Sequence, residues 1–197
     1  MIKKKIGEFM YKIAGWSYDL QCDLPPKAVY VTGQHTSLLE GYLVIAFALQ
    51  NPHFTPYMLI AKEYFRWPLG PVLRYVGGVP VNRGNPGNIV SKMIEELDKH
   101  SPSGIGVCPE GTRKKVAGWK KGFYHIASKL GCPIIFGAFD PKTKVFTISK
   151  QIEDASKLTF DETLDVAREF YSTRTGIHPE KASPIRYYKA KDEHNKD

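Results

Sequence analysis

Cysteine is scarce: Cys22, Cys108 and Cys132 are three in 197 residues, and no two form a CxxC pair. An odd count in a chain of this size excludes a disulfide framework as the basis of the fold. Free thiols in a reducing compartment are the expectation. Metal-ligand spacing is absent as well. His53, His100, His125, His178 and His194 form no His/Cys cluster, so no metal is expected. Long apolar runs are missing: the longest, Tyr42–Leu49, falls far short of the ~18 residues of a membrane-spanning helix and suits a buried helix. The opening "MIKKKIGEFM" is basic but carries no apolar signal core or small-residue cleavage site, so no targeting segment is expected. There are no internal repeats and no low-complexity linker. A helix-turn-helix signature, zinc spacing and interleaved aromatic strand motifs are also lacking, which leaves nucleic acid out of the expected partners.

What is present suits one domain able to build a core: 42% hydrophobic and 24% charged residues. By itself the formal charge of +8 favours an anionic partner, whether nucleic acid, membrane surface, phosphorylated substrate or coenzyme phosphate, without choosing among them. Residues 1–20 show helical periodicity, with Ile2, Ile6, Phe9, Ile13 and Trp16 among the apolar positions and Lys4, Lys5, Glu8 and Lys12 opposite. Two readings stand for this basic amphipathic segment: a helix lying in a membrane interface, or one packed on its own domain.

Short apolar runs then alternate with helical patterns. Strands are expected at "KAVYVTG" (27–33), "PYMLIA" (56–61), "VPV" (79–81), "GIGVC" (104–108), "PIIFGAF" (133–139) and "KVFTIS" (144–149), the last at an edge. Helices are expected over Thr36–Gln50, with Thr36 or Ser37 as N-cap, within "RWPLGPVLRYVGG", and over Asn88–His100, Gly122–Leu130 and Asp161–Tyr171. The alternation predicts an α/β fold: a single domain with a mostly parallel sheet flanked by helices. The division is 1–20 as amphipathic N-terminal helix, 21–182 as the main domain and 183–197 as a polar tail. Ligands of such sheets bind beyond the carboxyl ends of the strands. His35, Arg83 and the stretch Glu110–Arg113 all fall there.

Three short elements carry chemistry: "HTSLLE" (35–40), "GGVPVNR" (77–83) and "PEGTR" (109–113). A His-x4-acid match alone is about an even bet by chance in a chain with 6 histidines and 20 acidic residues. The ordered set is far more specific. Together with the apolar strand Pro133–Phe139, it resembles the glycerolipid acyltransferases that include 1-acylglycerol-3-phosphate acyltransferase, over roughly residues 27–140. That family usually has aspartate where this chain has Glu40.

The resemblance implies His35 as general base and Glu40 as the carboxylate that orients it. It implies Lys62, Arg83, Glu110, Gly111, Thr112 and Arg113 as substrate-binding residues, the two arginines holding the acceptor phosphate and Glu110 and Thr112 shaping the loop. No bound cofactor is implied. Acyl-CoA or acyl-carrier protein would be the co-substrate and thioester donor, and a lysophospholipid the acceptor. The expected location is cytoplasmic, peripherally associated with a membrane surface. The alternative is a homologue that binds lipid or acyl donor without turnover. Ser37 is expected to cap a helix and Cys108 to be buried. Lys114, Lys115, Lys120 and Lys121 with Trp119 form a basic loop that faces lipid head groups, coenzyme phosphates or merely solvent. Phe123, Tyr124, Phe136 and Phe139 are core candidates.

Overall fold

In a computed structural model, the described residues are 2–25, 27–51, 54, 57–75, 77–81, 90–91, 93–95 and 104–188. The β-branched and aromatic runs form seven strands: β1 Ser17–Leu20, β2 Val29–Thr32, β3 Tyr57–Ala61, β4 Gly78–Val81, β5 Ile105–Val107, β6 Ile134–Asp140 and β7 Val145–Ile152. They join in one sheet of order β1-β7-β6-β2-β5-β3-β4. All neighbours pair parallel except β6 and β7. That exception has a local cause. Only "PKTK" separates the two strands, too short for a parallel crossover. Asp140 closes the turn by accepting from Lys142 N–H (2.9 Å) and the Thr143 hydroxyl (2.8 Å), and Lys144 takes a left-handed φ of 57°.

Among the described residues, the helices that flank the sheet include α1 Ile2–Ala14, α2 Leu38–Gln50, α3 Leu69–Tyr75, α4 Gly122–Leu130 and α5 Phe160–Tyr171. Alternation along the central strands divides the core in two. Val29, Val31, Ile134 and Phe136 join the cluster containing Phe123 and Leu164, from α4 and α5. Tyr30, Ile135 and Phe139 join the cluster containing Leu43 and Phe47 from α2 and Tyr11 from α1. The strands are therefore buried on both faces, as a mostly parallel sheet requires. The expected α/β architecture is the observed one. Phe123, Phe136 and Phe139 are fully buried core and Tyr124 partly so. For the helix expected over Asn88–His100, Val90, Ser91 and Met93–Glu95 are helical and Met93 is buried; its other positions lie outside the described residues.

Two expectations need correction. The N-terminal helix does not continue to residue 20. It stops at Ala14, where Gly15 turns the chain with φ 66°, and Ser17–Leu20 becomes β1. This strand pairs along β7, so "KVFTIS" is interior and the sheet's edges are β1 and β4. Trp16 and Tyr18 pack on the core, Trp16 edge-on to Phe139 and Tyr18 edge-on to Phe47.

The helix α1 lies across α2. The Tyr11 hydroxyl donates to Leu43 O (3.1 Å), and the Tyr42 hydroxyl donates to Met10 O (3.2 Å). At Gly7 the backbones come so close that a Cβ would sit 2.5 Å from Ala46 O. Replacing a helical glycine with alanine normally gains ~1 kcal/mol. Overpacking against a fixed backbone carbonyl costs ~1–3 kcal/mol. The second effect dominates here. Gly7→Ala is expected to lower the urea midpoint of unfolding, and a raised midpoint would show that α1 does not dock on α2 at this distance.

Candidate active site

The carboxyl end of β2 runs into Gly33, Gln34 and His35, three residues before α2 begins. Close packing fixes this exit. A Cβ at Gly33 would meet Trp119 at 2.5 Å, and Gly33 N–H donates to the Tyr171 hydroxyl (2.9 Å). Tyr171 lies within 3.1 Å of Val31 O and 2.9 Å of Gly137 O, so its single proton bridges back to the sheet. Gln34 then adopts a left-handed φ of 59°, which only a surrounding network makes tenable for a residue with a side chain. Its N–H donates to Glu110 Oε1 (2.7 Å), and its side-chain oxygen accepts from Ser183 N–H (3.1 Å).

That backbone turn presents His35 to Glu40. His35 Nδ1 lies 2.7 Å from Glu40 Oε2. Glu40 is 1% exposed and the histidine 22%. The carboxylate folds back from the first turn of α2, which Ser37 caps by accepting from Leu39 N–H (3.2 Å). Thr36 N–H donates to both of its oxygens (2.8 Å to Oε2, 3.1 Å to Oε1), and the Thr36 hydroxyl donates to Oε1 (2.7 Å). Ile177 N–H adds a long contact to Oε1 at 3.5 Å. With Glu40 accepting throughout, Nδ1 must carry the ring proton, and Nε2 is left as the basic nitrogen.

Glu110, after β5, is 2% exposed. Its Oε1 takes the Gln34 N–H, and Oε2 has no partner among the described residues. Burial pushes its pKa up, against the lowering influence of the backbone N–H bonds and of His35 nearby. Gly111 turns the "PEGTR" loop with φ 66°, and its N–H closes on Cys108 O (2.9 Å). The Lys120 ammonium approaches this turn, 3.4 Å from where a Gly111 Cβ would sit. Thr112 accepts from Lys114 N–H (3.3 Å). Arg113 donates to the Tyr64 hydroxyl (2.9 Å), in the 3-10 turn that the exposed Lys62 opens. So His35, Glu40 and Glu110 converge, and Arg113 of the loop is joined through Tyr64 to the turn that carries Lys62. Arg83 lies outside the described residues. Trp119 leaves the basic loop altogether; it is fully buried against Phe123 and Tyr171.

Sequence patterns do not reveal Gln34, Tyr64, Tyr171 or the Ile177–His178 backbone as part of this site. Each acts through a long-range contact that no local period marks. Thr36 was legible only as a possible cap.

The arrangement can perform base chemistry on a substrate hydroxyl. Burial pushes the Cys108 thiol pKa up, so it stays protonated, and Ser37 is spent on its helix. Among the described residues there is no group of three His, Cys, Asp or Glu that could hold a metal ion. A cavity of about 30 Å³ between sheet and α2, lined by Thr32, Phe47 and Phe54 among others, has room for one water-sized body and not for an acyl chain. No helix among the described residues is long and apolar enough to cross a membrane.

Glu110 yields a signed pH prediction. A carboxyl whose folded pKa lies above the usual 4.5 binds its proton more tightly folded than unfolded. Its contribution is therefore present in full below 4.5 and is lost as pH rises through the folded value. Glu110→Gln keeps an oxygen for Gln34 N–H and removes that slope. Its melting temperature is expected to gain on the wild type from pH 4 to pH 8; a gap that is flat or shrinks with pH would contradict the burial argument.

Residues 21–138 match the family model described as Acyltransferase. No curated protein and no solved structure matches the chain.

Proposed function

The chain belongs to the acyltransferase family, and from that premise we propose that it moves a fatty acyl chain from a thioester, acyl-CoA or acyl-carrier protein, to the hydroxyl of a lysophospholipid-type acceptor such as 1-acylglycerol 3-phosphate. The observation that carries the reading is the 2.7 Å contact between a part-exposed histidine and a buried carboxylate at the carboxyl end of β2. In this reading Nε2 of His35 takes the acceptor's hydroxyl proton as that oxygen bonds to the thioester carbonyl carbon. The tetrahedral intermediate then expels the thiolate, which takes the proton back from the imidazolium. Glu40 holds the Nδ1–H tautomer and offsets the transient positive charge. The thioester is already activated, so no acyl-enzyme is needed. Arg113, Lys62, Lys120 and Arg83 are the cations offered to the acceptor phosphate.

A lipid acceptor also calls for a surface, and the outer faces of α1 and α3 fit one. Ile2, Ile6, Phe9 and Ile13 are 47–76% exposed on α1 although α1's other face packs on α2. Trp67, Leu69, Val72 and Tyr75 are 54–87% exposed in and before α3. The Lys3 ammonium sits 4.8 Å over the Tyr75 ring and joins the two patches. Apolar side chains rimmed by Lys3, Lys4, Lys5, Arg66 and Arg74 suit an anionic bilayer interface. The stripe that packs on α2, with Gly7 and Tyr11, leaves this apolar stripe open for such a surface.

Purified protein given acyl-CoA or acyl-carrier protein against a panel of lysophospholipids is expected to form diacyl product. His35→Ala should abolish it, and Glu40→Gln should slow it by roughly 10²–10⁴-fold. Full turnover by His35→Ala would remove the histidine from the mechanism. Absence of product with every pair from folded protein would favour lipid binding without turnover. Deleting residues 1–20 would strip β1 from the sheet, so the surface is better tested by Ile6→Glu with Phe9→Glu. Sedimentation with anionic vesicles should drop severalfold for this pair, and unchanged sedimentation would sink the assignment of that face.

A further inference from the structure

The chain beyond α5 lies outside the matched residues 21–138, yet it returns to the reactive pair. Three of its backbone N–H groups end there. Ile177 N–H points at Glu40 Oε1 (3.5 Å), His178 N–H donates to the Thr36 hydroxyl oxygen (3.0 Å), and Ser183 N–H donates to the Gln34 side-chain oxygen (3.1 Å). Gln34 and Thr36 are the residues on either side of His35. The Thr36 hydroxyl, receiving from His178, passes its own proton to Glu40 Oε1 (2.7 Å). The chain His178 N–H to Thr36 O–H to Glu40 is therefore unbroken, and it meets the carboxylate at the oxygen that His35 does not use.

Gly176 permits this approach. Its φ is 74°, and a Cβ there would lie 2.4 Å from Gln34 O and 3.2 Å from the Thr36 hydroxyl oxygen. A second anchor holds the far end. The Ser183 hydroxyl accepts from Val116 N–H (3.1 Å), and Trp119 and Tyr188 bond backbone to backbone (3.0 Å). Gln34 and Thr36 are 8% and 2% exposed, so these contacts are shielded from water and correspondingly directional.

We infer that Gly176–Ser183 is a positioning strap for the reacting pair, holding the residues on both sides of His35 and the outer oxygen of Glu40 through backbone N–H groups. The inference rests on reading His35 and Glu40 as that pair. The strap makes no contact with the reacting atoms. It sets the rotamer of the Glu40 carboxylate and the left-handed turn at Gln34, and so fixes the direction of the imidazole.

The test uses Thr36→Val, which keeps the shape and removes the hydroxyl relay, Thr36→Ser, which restores it, and Gly176→Ala, which drives the strap off Gln34. Two readouts are taken on full-length protein: steady-state kinetics with the best thioester and acceptor, and NMR of the hydrogen-bonded Nδ1 proton in ¹⁵N-histidine-labelled enzyme. Loss of a hydrogen bond to a charged group predicts a fall in kcat of about tenfold to a hundredfold for Thr36→Val, with KM unchanged to within about twofold. Thr36→Ser should regain most of it, and Gly176→Ala should behave as Thr36→Val. The Nδ1 proton signal should be slow to exchange in wild type and Thr36→Ser and lost or fast-exchanging in the other two. If Gly176→Ala fails to fold, unchanged kinetics in Thr36→Val still overturn the strap. Wild-type kcat and an unchanged Nδ1 signal in Thr36→Val would overturn the strap. A wild type without transfer activity whose Nδ1 signal still depends on Thr36 and Gly176 would uphold the strap and overturn the acyltransfer reading instead.

Discussion

A carboxylate with 1% of its surface exposed must be surrounded by donors, and Glu40 draws four: His35 Nδ1, the Thr36 N–H, the Thr36 hydroxyl and the Ile177 N–H. Leaving a buried charge short of partners costs several kcal/mol. The surrounding chain is shaped by that requirement. It fits the unfavourable backbone conformation of Gln34 and the glycine at 176, and a second buried acid, Glu110, bonds to the same histidine loop. One holds the ring and the other holds the backbone just before it.

The sheet supplies the rest of the constraint. Parallel β2, β5 and β3 bring their carboxyl ends together, so the His35 loop, the "PEGTR" loop and the Lys62–Tyr64 turn emerge side by side from distant parts of the sequence. The reversed pair β6–β7 and the short β1 lie on the far side of β2 from β5 and β3, where they widen the core without interrupting that end. Stacked Phe139 and Phe146 rings, 4.3 Å apart, tie that reversed pair together.

Most of the fold was legible because its signals are local. Ser37 before an apolar run and Gly131 after α4 each mark a boundary within a few residues of themselves. The failures at Ser17–Leu20 and at the sheet edge share one cause. A four-residue strand has no period of its own, and its identity comes from pairing with β7 more than a hundred residues away. The site divides in the same way. His35 and Glu40 were legible because they lie five positions apart in a short motif that belongs to an ordered set with "GGVPVNR" and "PEGTR". The Tyr64 partner of Arg113, Tyr171 beneath Gly33 and the strap are contacts between distant segments, and the sequence around each reads as ordinary helix or loop.

The strap has a consequence for how the molecule is made. Its hydrogen bonds to Glu40, Thr36 and Gln34 span 137, 142 and 149 positions of chain. During synthesis, β2, the His35 loop and α2 emerge long before the strap groups that bond to them. Until then Glu40 has lost its Ile177 donor and the Thr36 relay stands open to water. A nascent or truncated chain can assemble most of the sheet and still lack a finished site. The geometry around His35 is thereby tied to a segment made well over a hundred residues after it.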